Sequence, residues 1–218
     1  MSRIEGVPAA RANPLVRIIY RVARREVGRM TGRPDLPSDI AVRAHRPSLL
    51  VGYGVLEQTA AYKPRVQRHL RALVQLKSAV MQGCEACQDI GSHHALAAGV
   101  GEEQLIDLYR YRESGHFDET ERLVLDLAVG MTLTPVQVGD ELFAALHARF
   151  DDAQLVELVN LIALENLRSR FNAAVGLGSM GFNEGAVCAR MERSPAGANE
   201  DADVEATQAS AGVPQRAA

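Results

Sequence analysis

Residues 77–87, KSAVMQGCEAC, decide how the rest of this sequence is interpreted. An apolar helical pattern runs up to Gln82, Gly83 is a typical helix end, and a new helix begins near Cys84. Cys84 and Cys87 are three residues apart, so both thiols point to one side of that helix. Unpaired N–H groups at a helix start favour the thiolate, the species that attacks a peroxide or a disulfide. The pair therefore indicates redox chemistry.

Two other interpretations of the cysteine pair remain open. A structural zinc site usually needs four nitrogen or sulfur ligands. The third cysteine, Cys188, is far along the chain, and His93 and His94 do not form a second ligand pair at finger spacing. The thiols could also be inert and buried. We expect no metal and no cofactor.

Helical periodicity dominates the whole sequence, and no strand-length alternation of apolar and polar residues is found, so the predicted fold class is all-α. Predicted helices cover residues 14–30, 47–61, 64–82, 84–99, 102–110, 118–131, 135–150 and 152–175. Residues 1–12 form an N-terminal segment and residues 13–193 the all-α domain. Residues 194–218 are rich in Ala, Gly, Glu, Asp, Ser and Pro, and their only large apolar residues are the isolated Val204 and Val213, which predicts a disordered tail.

Composition excludes several functional classes. The net charge of −3, the aromatic content of 5% and the absence of Trp argue against a nucleic-acid partner. No run of about 18 apolar residues is present, so no membrane span is expected. The first residues lack the apolar region of a signal peptide, which predicts a soluble, cytoplasmic protein without a disulfide framework.

A weak internal repeat relates two helical segments at an offset of 85 residues. Residues 72–76, ALVQL, resemble residues 157–161, ELVNL. At this offset Cys84 and Cys87 correspond to Ser169 and Asn172. The repeat suggests two similar helical hairpins, although LVxL is a common pattern in helices.

Three stretches carry a resemblance to a known family. They are residues 77–87, residues 44–50 (AHRPSLL), and residues 165–172 (ENLRSRFN) followed by Gly176 to Phe182. Over roughly residues 12–190 the chain resembles the carboxymuconolactone decarboxylase/alkylhydroperoxidase D (AhpD) family. The resemblance implies an AhpD-like helical bundle that forms homotrimers or homohexamers. It also implies a thiol peroxidase in which Cys87 attacks the peroxide, Cys84 resolves the product, and a lipoyl or thioredoxin-like partner supplies electrons.

The sequence departs from the family's peroxidase pattern at both positions of its proton relay. Ala72 stands where the pattern has Glu, and Gly91 stands where it has His. Three residues are candidates for a replacement relay or a pocket. His94 points nearly the same way as Cys87 but about 10 Å further along the helix. Glu157 corresponds to Ala72 in the repeat and could supply a carboxylate from the other hairpin.

Asp89, the third candidate, lies on roughly the opposite side of the helix from Cys87. We expect it to pair with an arginine, Arg170 being the first choice. Arg168, Arg170 and Asn172 are polar residues in an otherwise apolar helix, which predicts either a buried hydrogen-bond network or a pocket lining near the thiols.

The sequence favours a thiol-dependent oxidoreductase that reduces a small peroxide or disulfide. One alternative is a non-catalytic member of the family that serves as a redox sensor or scaffold. The other is a lyase acting on a γ-lactone acid, a chemistry that would need a His or Glu base and an Arg rather than the cysteines.

Overall fold

The computed structural model describes residues 2–182 and 187–189, and all regular elements within them are helical. The predicted all-α class is therefore confirmed. The α-helices are α1 (Pro14–Thr31), α2 (Ser38–Arg43), α3 (Pro47–Ala61), α4 (Arg68–Met81), α5 (Glu85–Ala97), α6 (Glu102–Asp107), α7 (Glu119–Thr132), α8 (Asp140–His147) and α9 (Asp152–Val175). A 3₁₀ turn, Leu108–Arg110, follows α6.

Helix α4 lies at the centre of the bundle and packs most extensively against α5, α7 and α9. Its sequence explains this position, because apolar or small residues occur on nearly every side of the helix and are buried there. One core cluster joins α4 to α7, α8 and α9, and a second joins it to α5, α6 and α7. The N-terminal residues and α1–α3 form a third cluster against the side of the bundle.

The ends of the long helices follow from local sequence. Asp118 and Asp151 cap α7 and α9, each through a reciprocal capping box with the residue three positions later. Asn13 caps α1 in front of Pro14. Helix α9 ends where Gly176 adopts the left-handed conformation, with φ of 72°.

Some predicted boundaries differ from the structure. Helix α4 begins at Arg68 rather than at residue 64, because the backbone N–H groups of Arg65 and Val66 bind the Glu157 carboxylate instead of continuing a helix. Helix α8 covers less than the predicted 135–150, and the short helix α2 was not predicted. The tail prediction for residues 194–218 concerns residues outside the described part.

Among the described residues, none of the helices has the length and apolar character required to cross a bilayer.

Candidate active site

The two cysteines lie at the junction between α4 and α5. Gly83 takes a left-handed φ of 61°, which turns the chain after α4. Cys84 then caps α5, and its Sγ accepts the backbone N–H of Cys87 at 3.3 Å. The side chains form a disulfide with a Cα–Cα distance of 5.2 Å. Placing the pair at the start of a helix brings the first-turn N–H groups and the positive end of the helix dipole to the sulfurs.

Helix α9 supplies the polar wall opposite the disulfide. Asn172 Nδ2 lies 3.4 Å from Cys87 Sγ and 3.8 Å from Cys84 Sγ, so this amide donates to both sulfurs. Its carbonyl oxygen is buried and has no hydrogen-bond partner among the described residues. Ser169 Oγ lies 3.5 Å from Cys87 Sγ. The sulfurs are therefore buried against hydrogen-bonding groups rather than against a wholly apolar wall.

A buried carboxylate stands behind Ser169. Ser169 Oγ donates to Glu165 Oε1 at 3.0 Å, one helical turn earlier on α9. Only 3% of Glu165 is exposed, and this burial raises the pKa of its carboxyl, although Arg168 and Ser169 oppose the rise. Glu165 was not among the residues predicted for the site, and sequence position alone did not connect it with the cysteines.

Arg168 links Glu165 to α3. Its guanidinium bonds the Glu165 carboxylate and also pairs with Glu57, at 2.7 Å from Nε to Oε1 and 3.2 Å from Nη2 to Oε2. Tyr53, one turn before Glu57, shares a hydrogen bond with that carboxyl, and burial raises the pKa of its phenol. Arg168 thus compensates two carboxylates, as the buried-network interpretation of this residue predicted.

The predicted relay role of Glu157 is wrong. Its carboxylate pairs with Arg71 at 2.9 Å and accepts the backbone N–H of Arg65 at 2.7 Å. It precedes Ser169 by twelve residues on the same helix, or roughly 18 Å at ~1.5 Å per residue. Glu157 therefore holds the segment before α4 and lies too far away to reach a sulfur.

Asp89 anchors the segment that follows α9. Its Oδ2 accepts from Ser179 Oγ at 2.9 Å, from Met180 N at 2.9 Å and from Phe182 N at 3.0 Å. Arg170, the partner expected for it, donates to Thr134 Oγ1 at 3.0 Å. These contacts give Asp89 a role in fixing the backbone of residues 179–182 against α5.

His94 is exposed on α5, seven residues after Cys87. The protein atoms around its ring exclude water from it, and this desolvation lowers its pKa. The positive charges of His93 and Arg168 lower the pKa further. The described contacts of the two sulfurs involve Ser169, Asn172 and the Cys87 N–H, and not His94. Its role in a relay or pocket stays a prediction.

The family's histidine position is tightly packed against Leu76. A Cβ at Gly91 would lie 3.2 Å from Leu76 Cδ1, so a larger side chain there would require Leu76 to move. The third cysteine, Cys188, lies apart from the pair. Its Sγ is 3.5 Å from the Oγ of Ser92, which is on α5 five residues after Cys87. Among the described residues, no three His, Cys, Asp or Glu side chains are grouped to hold a metal ion.

Comparison with known proteins identifies relatives of this chain. Residues 53–130 match the carboxymuconolactone decarboxylase family. The chain is 38% identical over 113 residues to the uncharacterized protein YnjA of Escherichia coli, a match covering 52% of this chain and 62% of YnjA. It is 30% identical over 112 residues to the uncharacterized protein YdfG of Bacillus subtilis, covering 51% of this chain and 76% of YdfG.

Solved structures show the same fold at low identity. The apo form of the debrominase Bmp8 aligns with a TM-score of 0.70 and 21% identity, over 82% of this chain and 92% of that one. An uncharacterized peroxidase-related protein with an alkylhydroperoxidase AhpD core, from Ralstonia eutropha, aligns with a TM-score of 0.68 and 17% identity, over 83% and 94%. With its matching sequence segment and its helical bundle, the chain belongs to the carboxymuconolactone decarboxylase family and has the AhpD-like fold.

Proposed function

We propose that the protein is a thiol-dependent oxidoreductase that reduces a small peroxide or disulfide by cycling Cys84 and Cys87 between dithiol and disulfide. One observation carries this proposal: the two sulfurs form a disulfide at the start of α5, where the Asn172 amide donates to both and the Ser169 hydroxyl lies 3.5 Å from Cys87 Sγ. A thiolate at Cys87 would accept from the same Asn172 amide. Hydrogen bonds to a charged acceptor are stronger than those to a neutral one, which favours ionisation of the thiol.

The proposed cycle assigns a separate role to each cysteine. The Cys87 thiolate attacks a peroxide oxygen, the O–O bond breaks, and the departing alkoxide takes a proton to become an alcohol. The Cys84 thiolate then attacks the Cys87 sulfenic acid, and hydroxide leaves as water after protonation. An external dithiol of the lipoyl or thioredoxin class returns two electrons and two protons to the disulfide.

The exposure of the two residues supports this order. Cys87 is 7% exposed and Cys84 is 2% exposed, which makes Cys87 the more accessible residue for an incoming peroxide. Cys84 Sγ accepts the Cys87 backbone N–H, which stabilises a thiolate at Cys84 when it must act as the resolving nucleophile.

The test is peroxide consumption by the reduced protein with a small dithiol as reductant. We expect Cys87→Ser to abolish turnover. Pre-reduced Cys84→Ser, assayed after removal of the dithiol, should consume one equivalent of peroxide and stop at a Cys87 sulfenic acid. Cys188→Ser is the matched control and should turn over like the wild type. Full activity in both the Cys84 and the Cys87 variants would overturn the proposal.

The same protein samples separate the two alternatives. A lyase would release CO2 from carboxymuconolactone in both cysteine variants, since that chemistry does not use the thiols. A redox sensor would form the disulfide on oxidation but show no turnover. Because the similar solved structures include the debrominase Bmp8 in complex with 2,3,4-tribromopyrrole, a brominated pyrrole belongs among the electrophiles assayed with the dithiol.

We also propose that the protein assembles as a homotrimer or homohexamer. Helices α1 and α3 expose large apolar side chains, which include Ile18 and Val22 on α1 and Leu49 and Val55 on α3. Contiguous exposed apolar surface is typical of association sites. Light scattering coupled to size-exclusion chromatography measures the assembly directly, and a monomer at micromolar concentration would overturn this point.

A further inference from the structure

A continuous set of polar atoms connects Cys87 to a buried carboxyl on the neighbouring helix. Ser169 Oγ lies 3.5 Å from Cys87 Sγ and 3.0 Å from Glu165 Oε1. A hydroxyl carries one hydrogen and can also accept, so it can donate to the carboxylate while it accepts from a thiol. Once the disulfide is reduced, Ser169 is therefore placed to take a proton from Cys87 while passing its own to Glu165.

The surroundings of Glu165 permit it to hold a proton. The carboxyl is nearly fully buried, and burial disfavours its charged form and raises its pKa. Several charged or titratable groups face this region: Arg168 on α9, Glu57 and Tyr53 on α3, Asp39 on α2, and His94 on α5, which interacts with Arg168. Arg168 pairs with both Glu57 and Glu165, and burial raises the pKa of Glu165 despite the opposing charge of Arg168.

We propose that Glu165 is the proton acceptor for Cys87 and that the proton passes through the Ser169 hydroxyl. The exchange is balanced without a change in electrons: the S–H bond of Cys87 breaks, the Ser169 hydroxyl gains that proton and releases its own, and Glu165 becomes a carboxylic acid. The reverse transfer protonates Cys87 when the disulfide is opened. This inference deepens the proposed function and rests on it. Glu165 does not touch Cys87 and acts on it only through the Ser169 hydroxyl.

This arrangement replaces the family's relay with residues from a different helix. The relay expected from the resemblance would use positions 72 and 91, which are Ala72 and Gly91 in this chain. Leu76 fills the space beside Gly91. The proposed route reaches the same sulfur from α9, on the side where Ser169 touches Cys87.

The test measures how fast reduced Cys87 reacts with iodoacetamide, a neutral electrophile, as a function of pH. A background of Cys84→Ser with Cys188→Ser leaves Cys87 as the single thiol of the chain. At neutral pH the reaction requires loss of the thiol proton, whereas at high pH the thiolate is already present. We expect Ser169→Ala to slow the reaction at least about tenfold at neutral pH, as loss of general base catalysis does, and to leave the high-pH rate unchanged.

Ser92→Ala is the matched control. Ser92 is fully buried and its Oγ lies 3.5 Å from a cysteine sulfur, but that sulfur belongs to Cys188. The control should follow the parent at every pH. Equal rates for Ser169→Ala and the parent at all pH values would overturn the inference, and so would an equal slowing at all pH values, which indicates a purely structural effect.

Glu165→Gln provides a second, independent measurement. Removing the carboxylate charge should lower the pKa of the Cys87 thiol by about one unit or more, because a neighbouring negative charge raises the pKa of an acid. An unchanged thiol pKa would overturn the inference. Failure of peroxide turnover in the wild type would contradict the proposed function, but it would not change these alkylation profiles. The two failures are therefore distinguishable. If Glu165→Gln does not fold, the Ser169 comparison still decides.

Discussion

Asn172 Nδ2 lies 3.4 Å from Cys87 Sγ, and the two residues are 85 positions apart in the chain. This separation equals the offset of the weak internal repeat, so the contact joins two residues that occupy corresponding positions. Equivalent stretches of α4–α5 and α9 thus face each other across the buried sulfurs. The first stretch supplies the cysteines, and the second has Ser169 and Asn172 at the corresponding positions.

The Asn172 contact predicts a measurable effect on thiol acidity. Replacing Asn172 by Leu keeps a similar volume but removes the amide that donates to both sulfurs. A hydrogen bond to a charged group contributes about 1.5–3 kcal/mol, so the pKa of the Cys87 thiol should rise by roughly 1–2 units at ~1.4 kcal/mol per unit. The pH dependence of Cys87 alkylation measures this shift.

Asn166→Leu is the control for that experiment. Asn166 is also a partly buried amide on α9, but it donates to Thr132 Oγ1 and to the Ile162 carbonyl. It should leave the thiol pKa unchanged. An equal shift in both variants would mean that general loosening of α9, rather than the amide–sulfur contact, sets the acidity.

The Arg168 network predicts a large stability effect. Arg168→Met leaves the Glu165 and Glu57 carboxyls without their shared cation in a largely buried site. Breaking such a buried pair costs about 3–5 kcal/mol. In contrast, Arg149→Met removes a pair with an exposed Glu119 and should cost less than about 1 kcal/mol. Urea unfolding gives both free energies, and similar values for the two variants would contradict the prediction.

Asp89 predicts local order after α9. Asp89→Ala removes the acceptor for Ser179 and for the N–H groups of Met180 and Phe182. Losing about 1.4 kcal/mol or more of local stabilisation raises hydrogen exchange at those two amides at least about tenfold. Asp152→Ala, which removes a highly exposed carboxylate, should leave the exchange unchanged. Unaltered exchange in the Asp89 variant would disprove the anchoring role.

The buried Glu165 predicts a pH dependence of stability in the oxidised protein. Its pKa is raised in the folded state, so the folded state binds more protons than the unfolded chain between the ordinary glutamate pKa and the raised value. Within that window its contribution to stability is lost as pH rises. Glu165→Gln should abolish this contribution and flatten the decrease.

Urea midpoints collected across the acidic to neutral range provide the measurement. Asp39, whose pKa burial also raises, gives a slope of the same sign and remains in both proteins. Asp107 has a lowered pKa, chiefly because of its hydrogen bond from Ser114, and acts in the opposite direction. The prediction therefore concerns the difference between the two curves, and parallel curves would refute it.

Sequence periodicity was sufficient for the helical bundle because each helix is specified by its own apolar pattern and caps. The place of the cysteine pair at a helix start was predictable for the same reason, since Gly83 and Cys84 act locally. The proton acceptor was not predictable in this way. It depends on how α9 is oriented in the bundle, and the contacts of Leu158, Leu161 and Ile162 with α4, α7 and α8 are tertiary.

The internal repeat contained part of the missing information but pointed to the wrong carboxylate. It paired Glu157 with Ala72, but the Glu157 carboxylate binds Arg71 and the backbone before α4. The informative correspondence was that of Ser169 and Asn172 with the cysteines. Glu165 then follows from helix geometry, because it precedes Ser169 by one turn on the same face.

The disulfide encloses a single helical turn, since its cysteines are three residues apart. A ring this small restricts the unfolded chain by only ~2 kcal/mol in chain-entropy terms, and it ties together no distant parts of the molecule. The packing of α4 against α5, α7 and α9 does not depend on the disulfide. Opening and closing the bond therefore changes the chemistry at one point while the architecture around it persists, which is the mechanical condition that the proposed dithiol–disulfide cycle requires.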